Sequence, residues 1–254
     1  MSCIGRTELL ALIEQQLQSH LIRDYCPNGL QVEGKAEIRR IVAGVTASQA
    51  LLDKAVELSA DAVLVHHGYF WKNENPQITG MKKRRLQTLL RHDINLLAYH
   101  LPLDVHPVLG NNAQLAHKLG LTQWSAVAAV SPAGVLMQGT LTDAVPAAAI
   151  AHRLEQQLGR AVLHNAVLDR PVRTLAWCTG GGQSYIDAAY EAGADLFISG
   201  EVSEQTIHSS RELGIDFIAA GHHATERYGV AALADFIAAN TGVSCHFVDI
   251  DNPA

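Results

Sequence analysis

At 254 residues, 48% hydrophobic and 17% charged, the chain has the size and composition of one large α/β domain or two small ones around a sizeable core. Its net charge of −6 implies no general affinity for nucleic acid or for an anionic membrane, although a local basic patch would escape that test. No apolar run reaches the roughly 18 residues that cross a bilayer, so no membrane partner is expected, and Met1-Ser2-Cys3-Ile4-Gly5-Arg6 leads into an amphipathic helix rather than a signal peptide.

The four cysteines show no CxxC spacing, which argues against a disulfide framework or a thiolate zinc site and fits a reducing cytoplasm. The thirteen histidines are more than average and favour metal chemistry.

In chain order, residues 7–19 place Leu9, Leu10, Ile13 and Leu17 on one helical face. Asp24-Tyr25-Cys26-Pro27-Asn28-Gly29 is turn chemistry. A strand is expected over Arg40–Val45, then a helix capped near Thr46 or Ser48 and running to about Leu58. The β-branched run 61–65 reads as a buried parallel strand and delivers His66 and His67, then Gly68. Ligands bind at the carboxyl ends of strands in open α/β sheets, so a His pair there should face a crevice rather than pack inside. Residues 68–80 form a long loop, a helix follows over 81–92, and a strand over 94–99 runs into His100, with Asp104 four residues on. Gly110-Asn111-Asn112 opens a helix that Gly120 ends.

The stretch 121–170 carries no evident chemistry. It holds a turn at Ser131–Gly134, a strand over Val135–Leu141 and an alanine-rich helix over Ala147–Leu158, and its expected job is to connect and to pack. From 172 the strand–helix alternation resumes as a copy. At an offset of 134 residues, Arg39, Gln49, Asp53, Ala55, Glu57, Ala60 and Asp61 fall on identical residues, seven matches without a gap; composition alone would give about two. His66-His67 fall on Gly200-Glu201. His100/Asp104 correspond, with a small slip, to His222/Glu226, which end the strand 215–220. The fold class is therefore α/β, with two similar α/β lobes related by internal duplication (1–125 and 126–254, terminal elements crossing over) and a metal site in the cleft between them.

Three strand ends thus offer imidazole and carboxylate: His66, His67, His100, Asp104, His222 and Glu226. Transition metals bind such donors at about 2.0–2.2 Å, and paired ions about 3.5–4 Å apart need a bridging carboxylate. If a helix begins near Ala224, His222 and Glu226 sit one turn apart and reach the same ion, while His223 points elsewhere. The expected cofactors are two divalent transition-metal ions per subunit; iron, manganese and zinc all suit these donors. Glu204 or His208 is the candidate catalytic proton shuttle, against the blander reading of cap and surface residues. Glu201, at the repeat position of His67, would line the same cleft. Gly180-Gly181-Gly182 opens a helix and reads as a tight turn before it reads as a phosphate cradle. Lys82-Lys83-Arg84-Arg85 reads as a solvated face before it reads as a triphosphate receiver. Tyr69, Phe70 and Trp71 would either stack on a base or close the lobe interface.

Asn28 through Gln31, His66-His67-Gly68, His100-Leu101-Pro102-Leu103-Asp104, Gly110-Asn111-Asn112, Gly200-Glu201 and Gly221-His222-His223-Ala224-Thr225-Glu226 together resemble the Nif-three-like family, whose members are often labelled GTP cyclohydrolase 1 type 2 homologues. The resemblance covers nearly the whole chain. It implies a dinuclear metal site held by the six residues named above, with Glu226 bridging, and a ring-shaped homohexamer whose sites face an inner cavity. A cyclohydrolase activity is attributed to some members. The resulting expectation is a cytoplasmic, metal-dependent hydrolase of a small nucleotide substrate; for GTP, water would attack C8 and open the ring towards dihydroneopterin triphosphate. A nucleotide phosphoesterase and a non-enzymatic metal-binding or scaffold protein are the alternatives.

Overall fold

The computed structural model describes residues 2–254 and divides them into two compact units. One holds the chain up to Leu103 together with Gly229–Asp251; the other holds Asp104–Tyr228 and Asn252–Ala254. The break therefore falls after Leu103 rather than near residue 125, and a late segment returns to the first unit. The reason is packing: Leu115, Ala116, Leu119 and Leu121 are buried in one cluster with Ile150, Leu154 and Trp177 of the second unit.

In the first unit, β1 (Ile4–Gly5) precedes α1 (Arg6–Leu17), which buries Leu9, Ile13 and Leu17 at helical spacing. After β2 (Gly29–Val32), the two-residue β3 (Glu37–Ile38) pairs with β1. β4 (Arg40–Thr46), β5 (Ala62–His67) and β6 (Asn95–Ala98) are parallel neighbours, linked by α2 (Gln49–Glu57) and α3 (Gly80–His92). Ser48 caps α2 by accepting from the Leu51 amide. The chain's last strand, β13 (Ser244–Phe247), lies parallel to β4, and β2 closes the other edge antiparallel to β6. Leu51, Leu52, Leu86 and Leu89 of the helices pack on Val42, Val63, Val65 and Leu96 of the sheet.

The short helix α4 (Leu101–Asp104) leads into the second unit. There α5 (Asn111–Leu119) runs from Gly110 to Gly120, whose φ of +78° ends it. β7 (Trp124–Ala126), β8 (Met137–Val145), α6 (Ala147–Leu158) and β9 (Leu163–Asn165) follow. The stretch 121–170 is thus more than a connector: β8 runs antiparallel along β10 (Val172–Cys178) and carries β7 outside it. β10, β11 (Leu196–Ser199) and β12 (Asp216–Ala219) are parallel, interleaved with α7 (Ile186–Glu191) and α8 (Glu204–Leu213); β9 lies antiparallel against β12. α9 (His222–Thr241) starts immediately after β12 and carries the chain back to the first unit. Strand residues alternate between two cores: Leu175, Trp177, Leu196 and Ile198 face one, and Ala176, Cys178, Phe197 and Phe217 the other. Burial on both faces explains why these strands are apolar throughout.

The duplication is visible in topology. Three parallel strands followed by one antiparallel edge strand recur as β4–β5–β6–β2 and β10–β11–β12–β9, with the edge strand taken each time from upstream in the chain. The outer neighbour differs, being parallel β13 in one lobe and antiparallel β8 in the other. A matched aspartate ties each sheet. Asp61 accepts from the Arg39 and Arg40 amides at 2.9 and 3.1 Å and pairs with Lys35. Asp195 accepts from the Arg173 and Thr174 amides at 2.9 Å each and pairs with Arg170. Burial alone would raise both carboxyls, but these hydrogen bonds and cations outweigh it and hold them below 3.8.

A lowered folded-state pKa adds stability above the ordinary carboxylate range and loses it as pH falls through the lowered value. Replacing Asp61 or Asp195 with Ala should therefore cost about 1–3 kcal/mol at neutral pH, since each orphans partly buried amides. Denaturant titration checks this, and the deficit should shrink below about pH 4.

Candidate metal centre

The first-lobe cluster grows from the carboxyl ends of β5 and β6. His66 and His67 are the last residues of β5, inside the strand rather than after it. His66 is fully buried, contrary to the expectation that the pair faces outward. Burial is tolerable because its Nδ1–H donates to the Tyr99 carbonyl at 2.9 Å. The parallel register sets Thr46 beside His67, and Thr46 Oγ1 pairs with His67 Nδ1 at 3.2 Å. His100 Nδ1 donates to Asp24 Oδ1 at 2.7 Å. The three ring centroids lie 4.6, 5.1 and 5.7 Å apart, and one nitrogen from each ring falls within 4.8 Å of the others.

The carbonyl and carboxylate that accept from Nδ1–H of His66 and His100 leave their lone pairs on Nε2, the nitrogen suited to serve an ion, and the Thr46 hydroxyl is able to accept from His67 in the same way. Three imidazoles converging in this way fit a divalent transition metal such as zinc, iron or manganese.

The second lobe supplies carboxylates and one imidazole. Asp104, at the end of α4, is nearly buried and accepts from Asn111 Nδ2 at 2.8 Å. α9 begins at His222 rather than Ala224, so His222 and Glu226 are one turn apart, with Nε2 and Oε2 separated by 3.1 Å. Asp104 and Glu226 bring oxygens within 4.8 Å of each other. Burial alone would lower the His222 pKa. Hydrogen bonds and charge from Glu226, then Glu201, overcome this and push it up to about 9.

Several positioning groups carried no assigned role in the sequence. Asn28 Oδ1 accepts from the His100 amide at 2.8 Å. Gln31 receives the Tyr69 amide at 2.7 Å and donates to the Pro27 and Tyr69 carbonyls, pinning the chain just past His67. A side chain at Gly68 would overlap Gln31. Asn112 accepts from the Thr179 amide, and its carbonyl accepts from Trp177 Nε1. These residues fall within the Asn28–Gln31, His66–Gly68 and Gly110–Asn112 motifs, so the signal was present as pattern but not as role.

Other candidates resolve differently. Gly180 has φ +63°, and a Cβ there would overlap the Glu226 carboxylate. Its carbonyl accepts from the Gly200 and Glu201 amides, so the glycine run is a tight turn beneath Glu226. Lys82 pairs with Glu74 at 3.3 Å and lies 5.1 Å from the Phe70 ring centroid, which makes it a brace for the loop 68–80. Trp71 stands edge-on to His100 at 4.9 Å, and Tyr25, largely exposed, lies 6.4 Å from the same ring. Glu204 and His208 are exposed, 3.9 Å apart on α8, whereas Glu201 contacts His222 directly. Cys26 and Cys178 are buried; burial and then carboxylate charge push both thiols up, Cys26 to about 12, so neither supplies a thiolate at neutral pH.

A family model described as Duf34/NIF3 (NGG1p interacting factor 3) matches residues 4–253. A protein of Escherichia coli K12 named GTP cyclohydrolase 1 type 2 homolog is 57% identical over 249 residues, covering 98% of this chain and 99% of its own. A solved structure described as protein ybgI, of unknown function, superposes with a TM-score of 0.95 at 56% identity, over 99% of this chain and 100% of that one. The structure of TTHA1606 from Thermus thermophilus gives a TM-score of 0.89 at 36% identity, again over 99% and 100%.

Gly180→Ala should lower unfolding stability by about 1–3 kcal/mol, from strain at positive φ plus displacement of Glu226; thermal and denaturant melts check it. In metal-free protein the His222 ring should titrate near pH 9 by NMR. Because that pKa is raised, its stabilising contribution is complete below the unfolded value of 6.5 and is lost as pH rises through about 9.

Proposed function

The chain belongs to the Duf34/NIF3 family, and on that premise we propose that it is a metal-dependent hydrolase acting on a nucleotide. In this reading the metal ligands are His66, His67, His100, Asp104, His222 and Glu226, and each chain binds two divalent transition-metal ions. The observation that carries it is the gathering of three imidazoles at the ends of β5 and β6, each with its Nδ1 already engaged.

When bound, such a pair of ions supplies Lewis acidity and a nucleophile at neutral pH. The buried carboxylates of Asp104 and Glu226 offset the charge of the ions. Glu226 has oxygens close to both Asp104 and His222, which suits it to serve both ions. Asn111 holds Asp104 in place through its side-chain amide.

The aromatic setting favours a planar base as the group brought to this chemistry. Trp71 and Tyr25 both lie beside His100, and an aromatic face gives a base stacking energy of about 1–3 kcal/mol. The segment bearing Trp71 is tied down at several points: Gln31 grips Tyr69, and Glu74 accepts from the Phe70 and Trp71 amides at 2.8 and 3.2 Å. A platform tied down in this way loses little entropy on binding.

Elemental analysis of metal-loaded protein should find roughly two transition-metal ions per chain, and Glu226→Gln should lose at least one. The loaded protein is then assayed with GTP, following ring opening by mass spectrometry and phosphate release in parallel. Ring opening supports the cyclohydrolase form of the proposal, and phosphate release alone supports a phosphoesterase. Turnover of neither bond at any metal loading would leave a metal-binding or scaffold role.

A further inference from the structure

We propose that Glu201 is a positioning residue that turns His222 into a metal ligand, and that Asp24 does the same for His100. The inference rests on the metal-binding reading above and extends it to two residues outside the ligand set.

The geometry is parallel in the two lobes. His100 follows β6 and His222 follows β12, which occupy the same place in the repeated topology. In both, Nδ1 meets a carboxylate oxygen at 2.7 Å. A neutral imidazole has one lone pair. A carboxylate accepting from Nδ1–H fixes that pair on Nε2, sets the ring orientation and makes Nε2 a stronger donor. In each case a ligand would arrive already oriented.

The two carboxylates come from unrelated places. Asp24 belongs to the turn before β2, and its side chain is only 3% exposed. It is held by the Tyr25 amide at 2.6 Å, and by Asn28 Nδ2 and the Leu101 amide at 2.9 Å each. Glu201 follows β11 at the position where the first lobe has His67. Its backbone is fixed by the amide it donates to the Gly180 carbonyl at 3.1 Å, and its second oxygen receives Gln183 Nε2 at 3.2 Å. One duplicated position therefore does two jobs: in the first lobe it offers an imidazole, and in the second it holds the proton of a neighbouring one.

The two sites differ in how cleanly they can be tested. Asp24 satisfies three donors besides His100, so changing it also weakens the fold. The Glu201 side chain is 44% exposed, with His222 and Gln183 as its hydrogen-bond partners among the described residues.

The decisive experiment is therefore a zinc titration of the full chain against a competing chelator, with cobalt(II) absorption as a spectroscopic readout. Glu201→Gln should weaken zinc binding by about 10- to 100-fold and alter the cobalt spectrum, while the unfolding midpoint of the metal-free protein falls only by the part of the His222 ion pair that Glu201 supplies, less than in Asp24→Asn. Gln183→Ala, which loses only the contact to the outer oxygen, should retain near-wild-type zinc affinity. Asp24→Asn should weaken zinc binding as well, with a lowered unfolding midpoint. Wild-type binding with a Glu201→Gln affinity within about twofold of it overturns the inference alone. A wild-type chain that takes up neither zinc nor cobalt overturns the metal-binding reading and this inference with it.

Discussion

The hydrogen bond at Nδ1 of each histidine is the constraint on which the candidate site depends. A free imidazole rotates, tautomerises and takes up a proton near neutral pH. Here His66 is locked by a backbone carbonyl, His67 is paired with a hydroxyl, and His100 and His222 are held by carboxylates. The Tyr99 amide donates to the Val65 carbonyl, which continues the β5–β6 ladder one step beyond the strand and fixes Tyr99 where its own carbonyl meets His66. Sheet geometry and ligand geometry are thus one structure, and a slip of register would disorganise both.

Each lobe uses the same frame for different electrostatics. The first gathers three imidazoles at the ends of two parallel strands. The second gathers buried carboxylates with one histidine drawn towards the protonated state. Both follow from placing side chains beyond the carboxyl ends of parallel strands, where the backbone turns and leaves room for polar groups. The Asp61 and Asp195 pair shows the shared side of the duplication: the same carboxylate at the start of a strand ties down the same two amides of the strand beside it.

Small and amide-bearing residues do much of the positioning. Gly180 and Gly200 let backbone pass within reach of Glu226 and His222, where any Cβ would intrude. Asn28, Gln31, Asn111 and Asn112 each bridge separate segments of the chain. Side-chain amides both donate and accept, so they can satisfy backbone groups that no strand or helix serves.

The sequence by itself determined the strand–helix alternation, the doubling, and the residue types at the strand ends. Apolar runs, caps and glycine stops are local, and the offset of 134 residues needs no structure to be found. Local pairing carried the His222–Glu226 contact as well, because a helix puts residues four apart on one face. Tertiary structure alone decided the lobe boundary after Leu103, because it depends on which core α5 joins. The same holds for β7 and β9, whose short, partly exposed pattern becomes strand only when β8 and β12 offer edges to pair with, whereas the strand read over Val135–Leu141 is met by β8. It also decided the partners of the histidines. Asp24 and His100 are 76 residues apart, and Thr46 and His67 meet only through parallel register. Hydrogen bonds over such separations leave no periodic trace in a chain, since what selects them is the folded geometry that brings the two atoms within reach.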